Sequence, residues 1–326
     1  MNSKMTVVLG LVLVTAAWPA ALAAQSVPTR LVTGLEGASG STVGPDGALY
    51  VTEGAVGRIS RVDPETGQVT TFASGLPKSI IGFGGPTDIT FIGETAYVIV
   101  TLVGPQFGSP DIVGIYRVDG PASFTVIADI GAFAVEHPPE TPFEGLRGLQ
   151  YAIEPYRDGF LVTDGHHNRV YQVTRDGDVS VFRAFDNIVP TGLALSGNTV
   201  YMAQAGPLPH LPQDGKVVSF TDRSPDVVEV ASGAPVLVDV EFGRGRALFA
   251  LSQGIHAGGP EGSPALPNTG TLLRVAADGS FVPVAEHLNM PTSLEVIGTT
   301  AYVVTLAGEI WRIDEISGPP YGRPSP

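Results

Sequence analysis

Four carboxylates, Glu53, Asp88, Asp164 and Asp239, recur at matching places in a repeating pattern of short apolar runs. If the repeats form a ring, these groups gather near one axis. Like charges so placed repel unless a cation or shared protons intervene. Oxygen-only ligands on a rigid frame suit calcium or magnesium, so all four are candidate metal ligands and calcium is the expected ion. His166-His167-Asn168 follows Asp164 closely. A carboxylate so near can orient an imidazole as a general base, which makes His166 and His167 the catalytic candidates. The competing reading is structural: the carboxylates accept hydrogen bonds from loop amides or channel water, and the histidines are a solvated pair. Other chemistries drop out. The chain has no cysteine, which excludes thiolate catalysis and Cys-ligated metals. It has no G-x-S-x-G elbow, and neither Gly44–Gly47 nor Gly82–Gly85 opens a helix that would cradle phosphate.

The elements that must position these groups are strands. Residues Gly40–Pro77 hold four runs of alternating apolar and polar residues, separated by turns such as Gly44-Pro-Asp-Gly47 and Asp63–Gly67. Period-two patterning bounded by Pro, Asp and Gly reads as antiparallel strands joined by hairpins. Four such strands make one propeller blade. The pattern returns from Pro86, Arg147, Pro190, Leu237 and Pro291, giving six blades and an all-β fold. The last copy has only three strands, while Val27–Leu35 resembles a fourth strand with nothing before it. The amino-terminal strand is therefore expected to complete the last blade and remove a free edge.

Aligned on the first strand, the equivalent positions are Gly40, Asp88, Gly148, Gly192, Asp239 and Ser293. Asp88 and Asp239 fall three blades apart, so they face each other across the channel. At the second-strand exit the series is Glu53, Val100, Asp164, Gln204, Leu251 and Thr305. Pro-Thr precedes the first-strand position in three copies, at Pro86, Pro190 and Pro291. Long insertions fall in two kinds of connection only, both on one end of the propeller, and all six histidines lie in or beside them. One face is decorated, and function is expected there.

Lys4, the apolar run Thr6–Trp18 and Ala21-Leu-Ala23 read as a signal peptide covering residues 1–23. The propeller is expected over 24–316 and a flexible Pro-rich tail over 317–326. An exported monomer, periplasmic or extracellular, is the expectation. The net charge of −14 argues against nucleic acid and anionic membranes as partners, and no second long apolar run suggests a membrane span. A small molecule or a protein partner at the decorated mouth remains. Whether a reaction is catalysed there is left open.

The phrases GPDGALYVTE, GIYRVDG, VPTGLAL and MPTSLEVIGTTAYVVT, behind a signal peptide, resemble the ScyD/ScyE family. That resemblance implies an exported bacterial six-bladed propeller and carries over no catalytic residue. More distantly, the chain is similar to the gluconolactonase and calcium-dependent phosphotriesterase superfamily and to virginiamycin B lyase. Those relatives imply a divalent cation at the channel mouth, held by Glu, Asn and Asp. Three readings follow: a binding propeller, a metal-dependent lactonase, esterase or lyase, and an interaction module without a small-molecule pocket.

Overall fold

Alternation of buried and exposed residues closes each repeat into a four-stranded antiparallel sheet, and six such sheets make a six-bladed β-propeller. The computed structural model describes residues 27–260 and 262–316. The expected signal peptide and Pro-rich tail lie outside the described residues. From the channel outward, blade 1 is Ala38–Val43, Leu49–Glu53, Arg58–Val62 and Val69–Ser74. The first strands of blades 2 to 6 are Gly85–Ile92, Gln150–Tyr156, Pro190–Ser196, Leu237–Phe242 and Pro291–Ile297.

The ring closes as the incomplete ends suggested. Strand Thr29–Val32 pairs antiparallel with Glu309–Ile313 and supplies the outer strand of blade 6. The core consists of one apolar layer at each blade junction. At the closing junction Val32, Leu49 and Val51 pack against Tyr302, Val304 and Ile310. Burying one such side chain stabilises by about 1.5–3 kcal/mol, so the layers hold the ring without disulfides.

Two features depart from the expected picture. In every blade the pairing of first and second strands is broken by a bulge at the decorated end. In blade 3 the observed pairing changes the alignment. Gln150 pairs with Asp164 as Ala38 pairs with Glu53, so the equivalent of Gly40 is Ala152, not Gly148. Gly148 instead sits in a turn at φ +69°, packed on the Asp164 carboxylate, where a Cβ has no room. In blade 5 Leu237 pairs with Ser252, so Ser252 rather than Leu251 is the second-strand exit. The second departure is a short helix, Ile130–Glu136, inside the link from blade 2 to blade 3. Asp129 caps it by accepting the amide of Ala132 (2.7 Å). Among the described residues no helix is long and apolar enough to cross a membrane.

Candidate functional site

The repeated Pro-Thr has a clear physical role. Thr87, Thr191 and Thr292 each reach a carbonyl of their own second strand and, more closely, one on the first strand of the next blade. Thr87 lies 3.2 Å from the oxygen of Gln150, Thr191 2.9 Å from that of Leu237, and Thr292 2.7 Å from that of Ser39. A hydroxyl has one proton to donate, and distance directs it across the junction. Blades 2, 4 and 6 are thereby tied to blades 3, 5 and 1 around the channel.

Asp88 and Asp239 tie the ring one residue deeper. Asp88 accepts the amide of Ile89 (2.9 Å) and that of Ile153 in blade 3 (2.9 Å). Asp239 accepts the amide of Val240 (2.8 Å) and that of Leu294 in blade 6 (2.7 Å). On the other side they press against Gly40 and Gly192, whose missing Cβ atoms make the room. The two aspartates stand on opposite blades, and the charge of Asp239 adds to the upward push on Asp88.

Three glutamates that sequence reasoning missed join them. Glu154, Glu241 and Glu295, two residues further along the first strands of blades 3, 5 and 6, line the same bore. By solvent accessibility these five carboxylates are part-exposed, whereas protein surrounds them on all sides. The surrounding protein governs their ionisation, because a narrow bore solvates charge poorly. Burial pushes all five up. Asp239 rises to about 7 despite its two amide donors, and Glu241 to about 8 by burial and the charge of Asp239. Asp88, Glu154 and Glu295 are raised well above the usual carboxylate range by the same burial.

The second-strand carboxylates are also engaged. Glu53 is buried; that alone would raise its pKa, but Arg58, Ser60 and the amide of Glu36 hold it below the usual value. Arg58 grips it through both Nε (2.8 Å) and Nη2 (2.7 Å). Asp164 accepts the amides of Leu149 (2.8 Å) and His167 (3.0 Å), the Gln150 amide group (2.8 Å) and the Tyr171 hydroxyl (3.2 Å). Calcium takes six to eight oxygen ligands. Here the four expected ligands direct their oxygens at protein donors, and no group of three or more His, Asp or Glu among the described residues converges as a metal ion needs. In this arrangement they do not fit a metal centre.

The histidine pair separates. His167 is buried, with Nε2 2.7 Å from the carbonyl of Gly145, Nδ1 3.3 Å from the Tyr171 hydroxyl, and Phe143 edge-on to its ring. Its neighbour His166 lines a cavity of about 310 Å³ at the decorated mouth. Tyr151 floors that cavity, reaching from blade 3 to the carbonyl of Thr292 on the opposite blade (3.0 Å) and separating the mouth from the acidic bore. Phe83, Leu149, Val189, Val236, Pro264 and Leu306 form its walls. Among the described residues no Asp, Glu, Lys or Arg lines it. His210, from the insertion after the second strand of blade 4, completes the wall. Beyond the cavity the rim is greasy. Every exposed leucine and isoleucine among the described residues, Ile80, Ile81, Leu146, Leu208, Leu211, Ile255 and Leu266, lies on the connections of this end, between 42% and 68% exposed.

Solved structures share this ring. A gluconolactonase from Xanthomonas campestris is 14% identical, with a TM-score of 0.62 over 90% of this chain and 92% of that one. The PQQ-bound aldose sugar dehydrogenase from Streptomyces coelicolor gives 14% and 0.60 over 90% and 99%. Virginiamycin B lyase from Staphylococcus aureus gives 13% and 0.55 over 88% and 98%. The kinship is one of fold. No protein-family model and no curated protein matches the sequence. At such identities a shared ring carries no activity with it, since propellers host many functions.

Proposed function

We propose that this chain is an exported, ScyD/ScyE-like binding propeller whose mouth cavity takes a small, uncharged and largely apolar molecule. One observation carries the reading: a cavity of ligand size at the decorated end of the ring, walled by apolar side chains and with no formal charge among its described lining residues. A charged ligand entering it would lose its hydration and meet no counter-charge among the described lining residues, a cost of several kcal/mol. The leucines and isoleucines around the rim extend the same chemistry outward.

A second reading, a cation-dependent lactonase, esterase or lyase, draws support from the fold shared with a gluconolactonase and virginiamycin B lyase and from the acid-lined bore. It keeps Asp88, Asp239, Glu53 and Asp164 as ligands and His166 or His167 as base. It also requires those carboxylates to release the protein donors they now hold.

Titration of the mature protein with naphthalene and with 2-naphthoate, each with and without calcium, separates the readings. Naphthalene is expected to bind, and naphthoate at least tenfold more weakly, neither changing with calcium. Equal or tighter binding of the anion, or binding that appears only with calcium, contradicts the neutral-pocket reading.

A further inference from the structure

The polar groups around the cavity differ in what they have left to offer. Tyr151 gives its hydroxyl proton to the carbonyl of Thr292, Thr191 and Thr292 give theirs across blade junctions, and Ser79 donates to the carbonyl of Phe83 (2.8 Å). Gln253 is tied at both ends, accepting the amide of Ala265 (2.9 Å) and facing the carbonyl of Pro291 (3.4 Å). These groups shape the wall.

His210 is different. Its ring is buried in the cavity wall, with Nδ1 2.6 Å from the carbonyl of Gly206 and 3.3 Å from that of Ala205. Carbonyl oxygens only accept, so Nδ1 must carry the proton. In the neutral ring Nε2 is then a lone-pair acceptor, and its tautomer is fixed by the backbone rather than chosen by a ligand. Among the described residues the structure shows no donor to Nε2. His256 packs edge to face with the His210 ring, centres 4.9 Å apart, and burial together with His210 lowers the pKa of His256, which favours its uncharged form.

We infer that His210 is the specificity-determining residue of the mouth cavity: its Nε2 accepts a hydrogen bond from an O–H or N–H group on a neutral, otherwise apolar ligand. This rests on the neutral-pocket reading and sharpens it. The ligand class becomes an apolar molecule carrying a donor, such as a phenol, an alcohol or a heteroaromatic N–H. A ligand offering only acceptors would face the lone pair and gain nothing from it.

The test compares 2-naphthol with naphthalene, which differ by one hydroxyl, on the mature wild-type protein and on two variants. His210→Asn keeps a donor toward Gly206 and removes the Nε2 acceptor. The backbone there sits at φ +58°, a conformation that asparagine tolerates well. His210→Phe keeps the ring and removes both nitrogens, and a melting curve establishes that each variant is folded. Wild type is expected to prefer 2-naphthol by roughly three- to tenfold, the worth of one net hydrogen bond. Both variants are expected to lose that preference while binding naphthalene as before. Naphthalene binding with no preference for the hydroxyl in wild type, or a preference that survives in both variants, overturns the role of His210 and leaves the pocket standing. Failure of either molecule to bind wild type overturns the pocket reading itself.

Discussion

The residues that looked most like chemistry, the four carboxylates, are here the residues that tie blades and loops together. Asp88 and Asp239 were legible as a facing pair, because three-blade spacing in a ring of six puts any two residues opposite. That their oxygens accept amides of the following blade was not legible, since Ile153 and Leu294 lie 65 and 55 residues away. Glu154, Glu241 and Glu295 escaped notice because, in an alternating strand, glutamate reads as a solvent position; only the closed ring makes that face a buried bore. Their raised pKa values have a definite sign. Unfolded carboxylates titrate near 4, whereas Asp239 and Glu241 titrate at about 7 and about 8 in the fold. The native state therefore holds more protons between those limits. Its stability contribution from these groups is fully present below about pH 4 and is lost as pH rises through 7 to 8. The melting temperature is expected to fall between about pH 4 and pH 8 and to level off above, and Glu241→Gln to flatten that fall while changing little at the acidic end. A melting temperature that rises over this range in wild type contradicts the buried-acid bore.

At the scale of elements, sequence reasoning went furthest. Period-two runs and Pro/Gly turns gave the blade, its six copies and the shared closing blade, because each of those signals is local. The same one-residue bulge occurs in every blade, so it does not account for the registers that failed, at Ala152 and Ser252; in blade 3 Gly148 has the residue type of Gly40 and Gly192 but lies in the turn before the strand. Pro-Thr was visible as a repeat, but its reason was not, because each threonine's nearer partner lies in another blade. That role gives a quantitative expectation. Thr87→Val, Thr191→Val and Thr292→Val keep shape and remove the donor, and each should lower stability by about 1–2 kcal/mol in urea unfolding. The three sites occupy alternate junctions and should be close to additive. If the triple variant unfolds at the wild-type urea midpoint, the hydroxyl ties contribute nothing to the ring.

For the whole molecule, the decisive contrast is between an acidic bore and a mouth whose described lining residues carry no formal charge. The decorated face was legible, because insertions in a propeller must fall between strands and these fell on one end. The cavity was not, because its wall is assembled from Leu149, Val189, Val236, Leu306 and two imidazoles scattered over several blades. His210 carried one faint signal, as the sole histidine within its insertion. A second, shallower groove between the links of blades 1 and 2, beside Lys78, Asp111 and Tyr116, offers charge of both signs and suits a different chemistry. The most direct measurement is therefore a crystal structure of the mature protein grown with 2-naphthol. Density for the bicyclic ring over Tyr151, between Leu149 and Val236 with its hydroxyl toward His210, is the predicted result. An empty mouth with the molecule lodged in the Lys78 groove or on the outer strands would contradict it.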